Sequence, residues 1–171
     1  MREKWIVETK KGDFNGLSAK LKVSPLAVRC LMNRGVESEQ EMREFLYGTL
    51  DDLHDPFLMK GMDEAVREIV KAKEQGRKVA IASDFDCDGI FSAYILWKGF
   101  QKIGLDSEIF TPDRVKEGYG LNRRIVDEAL AGGRDFLVTC DNGIAANEEV
   151  DYAKKLGMTV IVTDHHEVQE Q

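Results

Sequence analysis

The chain's 171 residues, 43% hydrophobic and 32% charged, allow one substantial core or a small domain beside a medium one, in the ordinary range for globular proteins. A formal net charge of −7 argues weakly against a nucleic-acid partner, and the objection weakens if several of the acids hold cations, which invert the local field. No apolar run approaches the roughly 18 residues of a membrane span, MREKWIVETKKG lacks a signal-peptide core, and Cys30, Cys87 and Cys140 form no close pair, so reduced thiols in a cytoplasmic setting are expected, with no membrane partner.

Residues 1 to about 60 read as a cap of small helices. Ser24-Pro25 starts one, with Ser as N-cap and Pro at the first helical position, and it ends near Asn33-Arg34 before Gly35. Ser38 with Glu41 forms a capping-box pattern for a helix that closes at Tyr47-Gly48. Leu50 to Phe57, with Asp55-Pro56, reads as an irregular connector. Lys20, Lys22, Arg29 and Arg34 offer a nucleic-acid contact, but a charged helix face is more often simply solvated. His54 has no evident partner.

From about residue 61 the pattern becomes regular and predicts an α/β domain over 61–171. A helix over Asp63 to Gln75 stops at Gly76, and a strand over Lys78 to Ser83 leads into Asp84-Phe85-Asp86-Cys87-Asp88-Gly89. A helix then runs from Ile90 to Ile103, before a strand over Ser107 to Phe110 and a loop with Pro112 and Glu117-Gly118-Tyr119-Gly120. Asn122 caps a helix to Ala131; Phe136 to Cys140 is a strand ending at Asp141-Asn142-Gly143. A last helix, Asn147 to Leu156, precedes a strand over Thr159 to Thr163 that ends at Asp164-His165-His166. Strands alternating with helices of about ten residues imply right-handed crossovers and a doubly wound parallel sheet. Apolar strands such as FLVTC and TVIVT fit a sheet covered on both faces.

Three of the four strands finish in acids or histidines. In a parallel sheet all carboxyl ends share one edge, where doubly wound folds bind ligands, so residues about 80 apart in sequence are expected to converge. A dense set of carboxylates repels itself unless a cation lies among them, and hard divalent ions prefer such oxygens. Asp84-x-Asp86-x-Asp88-Gly89 matches the opening of an EF-hand loop, but the twelfth place, which needs a bidentate Glu, is Ile95, and the preceding segment is a strand. Val79 to Gly89 also resembles the haloacid-dehalogenase phosphatase signature, with Asp86 as nucleophile and Asp88 as acid, but that leaves Asp164-His165-His166 without a role. Cys87 and Cys140, which flank the acids, are expected to be small buried residues rather than ligands.

DFDCDG after a strand, then DNG, then DHH, resembles motifs I to III of the DHH phosphoesterase superfamily. Leu31 to Gly35, Asp52 to Phe57 and Pro112 to Leu121 are similar to its single-strand-specific 5′→3′ exonuclease branch. The resemblance implies two Mn2+ or Mg2+ ions held by Asp86, Asp88, Asp141 and His165, with Asp141 as bridge. It implies that Asp84 and Asp164 support those ligands and that His166 faces the scissile phosphate. Arg114 is a candidate for holding a substrate phosphate, against the alternative that it caps a helix or pairs with Glu117. Ala82 stands where some non-nuclease relatives carry a further His, which favours the nuclease branch. Implied partners are single-stranded DNA and a single-strand-binding protein. The family's fourth motif and second domain do not occur in these residues, so the expectation for this piece alone is weak metal binding and little nuclease activity. Other readings are a phosphoesterase of short oligonucleotides or cyclic dinucleotides, or a non-catalytic DNA-binding module.

Overall fold

Local capping chemistry decides where most helices begin. In the computed structural model, which describes Ile6 and residues 10–168, Asp13 caps α1 (Phe14–Leu21) by accepting from the Gly16 amide. Ser24 caps α2 (Pro25–Asn33), with Pro at the first turn. Ser38 and Glu41 form a full capping box on α3 (Glu39–Tyr47). Leu21, Val28, Leu31, Met32 and Met42 are the buried core of this helical unit. The connector is less irregular than its sequence suggests, because Leu50–Asp52 and Pro56–Leu58 each form one turn of 3-10 helix. The chain divides between Leu58 and Met59 into two compact units.

The second unit carries α4 (Met62–Glu74), β1 (Val79–Ser83), α5 (Cys87–Lys102), β2 (Ser107–Phe110), α6 (Arg123–Ala131), β3 (Phe136–Cys140), α7 (Asn147–Lys155) and β4 (Thr159–Thr163). All strand pairs are parallel, and the order is β2-β1-β3-β4. Alternate strand residues point to opposite faces. Val79, Ile81, Phe136 and Val138 pack with Ala72 of α4 and Ala93 and Phe100 of α5. Ala80, Ala82 and Leu137 pack with Ile125, Val126 and Ala129 of α6 and Ala153 of α7. Helices therefore cover both faces, as the continuous apolar strands imply. β1 and β3 are buried throughout, whereas β4, at one end of the sheet order, is only half-buried at each residue.

The strand order reverses between β1 and β3. The chain moves from β1 outward to β2, then returns to place β3 on the other side of β1. Loops leaving the two strands at such a reversal diverge, which opens a crevice at their carboxyl ends. Asp84 follows β1 and Asp141 follows β3, so the topology puts the first and second acidic motifs at that point.

Candidate metal centre

Helix α5 starts three residues earlier than the sequence pattern suggests. Asp86 is its N-cap, accepting from the Gly89 amide at 3.1 Å, so Cys87, Asp88 and Gly89 lie inside the first turn. Cys-Asp-Gly is a poor helix-forming triplet, but an Asp cap and an acid in the first turn offset that by matching the positive end of the helix. Gly89 is required by space. A Cβ there would lie 2.4 Å from the Asp84 carbonyl oxygen, a backbone atom. Gly89→Ala is expected to lower stability by about 1–3 kcal/mol as the helix start is pushed away; thermal unfolding measures it, and an unchanged midpoint would contradict the close approach. Cys87 is exposed, contrary to the burial expected of it, because the helix turns it outward; Cys140 is buried, as expected.

Asp84 is fully buried. One carboxylate oxygen accepts from the Phe85 amide at 2.6 Å, and the other has no hydrogen-bond partner among the described residues. Burial raises its pKa, with Asp86 and Asp141 adding to the rise. Asp86 is exposed; the Gly89 amide foremost holds its pKa below the ordinary carboxylate value. Its second oxygen accepts from the Tyr119 hydroxyl at 3.2 Å. Asp88 is also exposed, and its carboxylate takes part in no hydrogen bond or ion pair among the described residues.

Asp141 has φ of +59°, a left-handed conformation that Asp tolerates better than most residues. Asn142 beside it donates to the carbonyls of Ala82 and Cys140, at 3.1 and 2.9 Å, joining the ends of β1 and β3. Gly143 has φ of +110°, and a Cβ there would lie 2.6 Å from Thr139 Oγ1. The Asp-Asn-Gly sequence is thus a turn, as Asn-Gly suggests, but one that aims a carboxylate at the crevice.

The third motif is organised by Asp164. Its two oxygens accept from the amides of Ile144, His165 and His166, at 3.0, 2.8 and 3.1 Å, and from the His166 ring at 2.7 Å. Burial pushes its pKa up, but the Ile144 amide, the His166 ring and the two histidine amides outweigh that and leave it below the ordinary value. Asp164 in turn raises the pKa of His166 and engages its Nδ1, which leaves Nε2 as the ring atom open to a ligand. His165 Nε2 lies 2.8 Å from Asp141 Oδ1. Donor atoms of Asp141, His165 and His166 fall within 4.8 Å of one another.

Asp84, Asp86, Asp141, Asp164, His165 and His166 are therefore brought together by contact or mutual charge, and Asp88 is adjacent. Arg114 is near as well: its guanidinium lies over the Phe85 ring at 5.4 Å. It does not pair with Glu117, which instead meets Arg124 through both oxygens at 2.5 and 2.8 Å and accepts from the Asp113 amide. Arg124 holds the Glu117 pKa down at about 2. A depressed carboxylate stabilises the fold above its unfolded value of 4.5, and that contribution is lost as pH falls through about 2. Glu117→Gln should therefore be less stable than the wild type near neutrality, with the difference shrinking over that acid range in pH-dependent unfolding.

Sequence reasoning missed Tyr119 as a partner of the acids. The available signal was its position between Gly118 and Gly120, both at positive φ, which frees the chain to present the ring. Groups that orient a metal ligand are typically worth ~10–100-fold in affinity, so Tyr119→Phe is expected to weaken Mn2+ binding about tenfold. Calorimetry gives the affinity, and equal values for the two proteins would remove Tyr119 from the support of Asp86. The donor set suits Mn2+ or Mg2+, because carboxylates with imidazole favour hard to borderline cations. The unpartnered buried oxygen of Asp84 is what an acid beside a cation would show. A cleft of about 590 Å3 is lined by Asp84, Tyr119, Asp141, Asn142, Asp164 and His166 among others.

Comparisons with known proteins bear on the chain's family. The chain is 38% identical over 165 residues to the single-stranded-DNA-specific exonuclease RecJ of Bacillus subtilis (strain 168), covering 96% of this chain and 21% of that protein. It is 36% identical over 143 residues to the protein of that name from Escherichia coli (strain K12), covering 83% and 24%. The crystal structure of RecJ from Thermus thermophilus in complex with Mn2+ superposes with a TM-score of 0.63 at 28% identity, covering 92% of this chain and 22% of that one. An exonuclease RecJ bound to manganese gives 0.61 at 35% identity, covering 66% and 29%. The chain spans about a fifth to a quarter of the length of the curated relatives, and none of its described helices is long and apolar enough to cross a membrane. Residues 78–171, more than half the chain and all three motifs, match the DHH family, N-terminal domain, and the chain belongs to that family.

Proposed function

We propose that this chain forms the motif-bearing part of a RecJ-type 5′→3′ exonuclease that hydrolyses phosphodiester bonds of single-stranded DNA in the cytoplasm. The observation that carries the reading is the meeting of three strand ends at one sheet edge: Asp84 and Asp86 after β1, Asp141 after β3, and Asp164-His165-His166 after β4. Asp86, Asp88, Asp141 and His165 would hold two Mn2+ or Mg2+ ions, with Asp141 central because it touches His165 and lies beside Asp86. When bound, such ions polarise phosphate oxygens and make a water acidic enough to attack near neutral pH.

The protein's own groups do the rest. Asp84, rigid and buried, fixes the start of the β1–α5 turn and contributes charge behind the ligands. Asp164 holds the His166 ring through Nδ1 and favours its protonated form, so Nε2–H can donate to a phosphate oxygen as charge grows there. Arg114 would hold a neighbouring phosphate by paired N–H donors, its plane supported on Phe85. A single-strand-binding protein is the expected protein partner.

Calorimetry with Mn2+ tests the centre directly. The wild-type chain should bind, and His165→Ala should bind more weakly by at least ~10-fold. With Mn2+ present, fluorescence anisotropy should rank a 5′-phosphorylated single strand above a blunt duplex and above a cyclic dinucleotide. A preference for the cyclic dinucleotide would overturn the exonuclease reading in favour of a small-ligand phosphodiesterase.

A further inference from the structure

The two edges of the sheet are guarded differently. At the β2 edge, Glu108 stands within the strand and pairs with Arg134 at 3.0 Å. Charges on an edge strand are a common way to discourage further pairing. β4, at the opposite edge, reads Thr159-Val160-Ile161-Val162-Thr163, with no charge, proline or glycine. It pairs with β3 in parallel register, from Phe136 opposite Thr159 to Cys140 opposite Thr163. The Thr159 amide donates to the Asp135 carbonyl, and the Thr163 carbonyl accepts from the Asp141 amide. Alternate residues of such a ladder turn both backbone groups the same way, so Thr159, Ile161 and Thr163 face β3. The amides and carbonyls of Val160 and Val162 therefore point outward, and no strand among the described residues of the second unit meets them. No helix closes the edge on the α4 side either. A trough of about 410 Å3 runs there along all five β4 residues, bounded by Met62, Val66 and Ile69 of α4.

We propose that this edge joins two copies of the chain, β4 pairing antiparallel with β4 of the second copy about a two-fold axis at Ile161. The strand's own sequence selects that occupant, because TVIVT reads the same in both directions. Centred on Ile161, the pairing sets Thr159 opposite Thr163 of the second copy, Val160 opposite Val162, and Ile161 opposite itself. Val160 and Val162 then fall in the pairs that exchange both N–H···O bonds, so the outward groups of the two copies satisfy one another. The isoleucine and threonine pairs fall at the non-hydrogen-bonded places, where side chains come closest and β-branched residues pack well. A slip by one residue would oppose an outward residue to one already committed to β3, which fixes the register. With charge guarding the β2 edge, association closes at two copies instead of growing into a fibre. One strand pair is smaller than a standard interface, so the dimer should be reversible and concentration-dependent. The two acidic clefts would lie at opposite edges of one continuous sheet, both open. Pairing would also hold down the strand that leads into Asp164-His165-His166.

Sedimentation velocity over a concentration series tests this on the wild-type chain, which should pass from monomer to dimer and no further. Val162→Pro removes an N–H that β3 does not use, a change that edge strands tolerate, and should weaken the dimer about tenfold or more. Ile161→Cys tests the register. Its Cα should lie about 4.5 Å from its counterpart, within reach of a disulfide, so air oxidation should link the two copies there. Val160→Cys, offset from its own counterpart, should not link through that position. Peptide masses after digestion identify the joined cysteines, since Cys30 and Cys87 are exposed as well. A chain that stays monomeric at every attainable concentration overturns the proposal and leaves the edge to a strand of another protein. A dimer that fails to link through Ile161→Cys overturns it too and puts the contact on another face. Growth beyond two copies overturns the closed pairing. The cysteine link decides the matter where Val162→Pro does not fold.

Discussion

Asp141→Asn is expected to weaken Mn2+ binding more than ~100-fold, beyond the range of groups that merely orient ligands. The choice of asparagine matters. Asp141 sits at φ of +59°, where a residue with an ordinary Cβ pays roughly 1–2 kcal/mol and where Asn and Asp are favoured. Asp141→Ala would mix that strain with the loss of a ligand, whereas Asn keeps the backbone and removes the charge. The amide oxygen of Asn can still face His165, so the histidine is not cast loose. The measurement is calorimetry with Mn2+ beside thermal unfolding. Unfolding should change little, and the binding heat should vanish. An Asn variant that binds as tightly as the wild type would mean that the three motifs converge for some reason other than a cation.

The second large effect concerns stability. Asp164→Ala removes the common acceptor of three backbone amides and the His166 ring. Each hydrogen bond to a charged group is worth about 1.5–3 kcal/mol, and donors left unpartnered add a desolvation cost, so a loss of roughly 3–5 kcal/mol is expected. Asparagine should rescue only part of it, since its amide would turn a donor toward at least one donor. The pH dependence has a definite sign. The folded pKa of Asp164 lies below its ordinary value of 3.8, so its contribution is complete above that value and disappears as pH falls through the lower folded pKa. The difference between the wild type and the Ala variant in denaturant unfolding should therefore be smaller in strong acid than near neutrality. A constant difference down to low pH would show that the carboxylate's charge is not what holds the turn.

Much of this was legible before any coordinates. The strand ends could be placed because parallel strands here are short apolar runs followed at once by polar residues, and the three motifs occupy those junctions. The capping residues Ser24, Ser38 and Asn122 were readable because capping is a local interaction between a side chain and an amide two or three residues on. The errors fell where a tertiary or steric constraint decided. Asp86 as the cap of α5 was hidden because its neighbours are weak helix formers and because the need for Gly89 arises from the approach of the Asp84 carbonyl, not from sequence preference. Which arginine takes Glu117 could not be read from proximity. Arg114 is three residues away, Arg124 seven, and helix α6 delivers the latter. The link from Tyr119 to Asp86 spans 33 residues and two elements, a distance no local rule covers.

The position of β4 in the sheet bears on how the site would behave in time. β1 and β3 are laddered on both sides and buried throughout, while β4 is laddered to β3 alone and half-buried. Local opening draws on the least protected segment, so amide hydrogens of β4 should exchange with solvent sooner than those of β1 and β3. The acids of the first two motifs would then sit on a rigid floor, and the two histidines on a wall able to detach without global unfolding. A cation bridging Asp141 and His165 would tie that wall to the floor. Its binding should slow exchange in β4 selectively, a mechanical signature that separates coordination by both walls from attachment to the carboxylates alone.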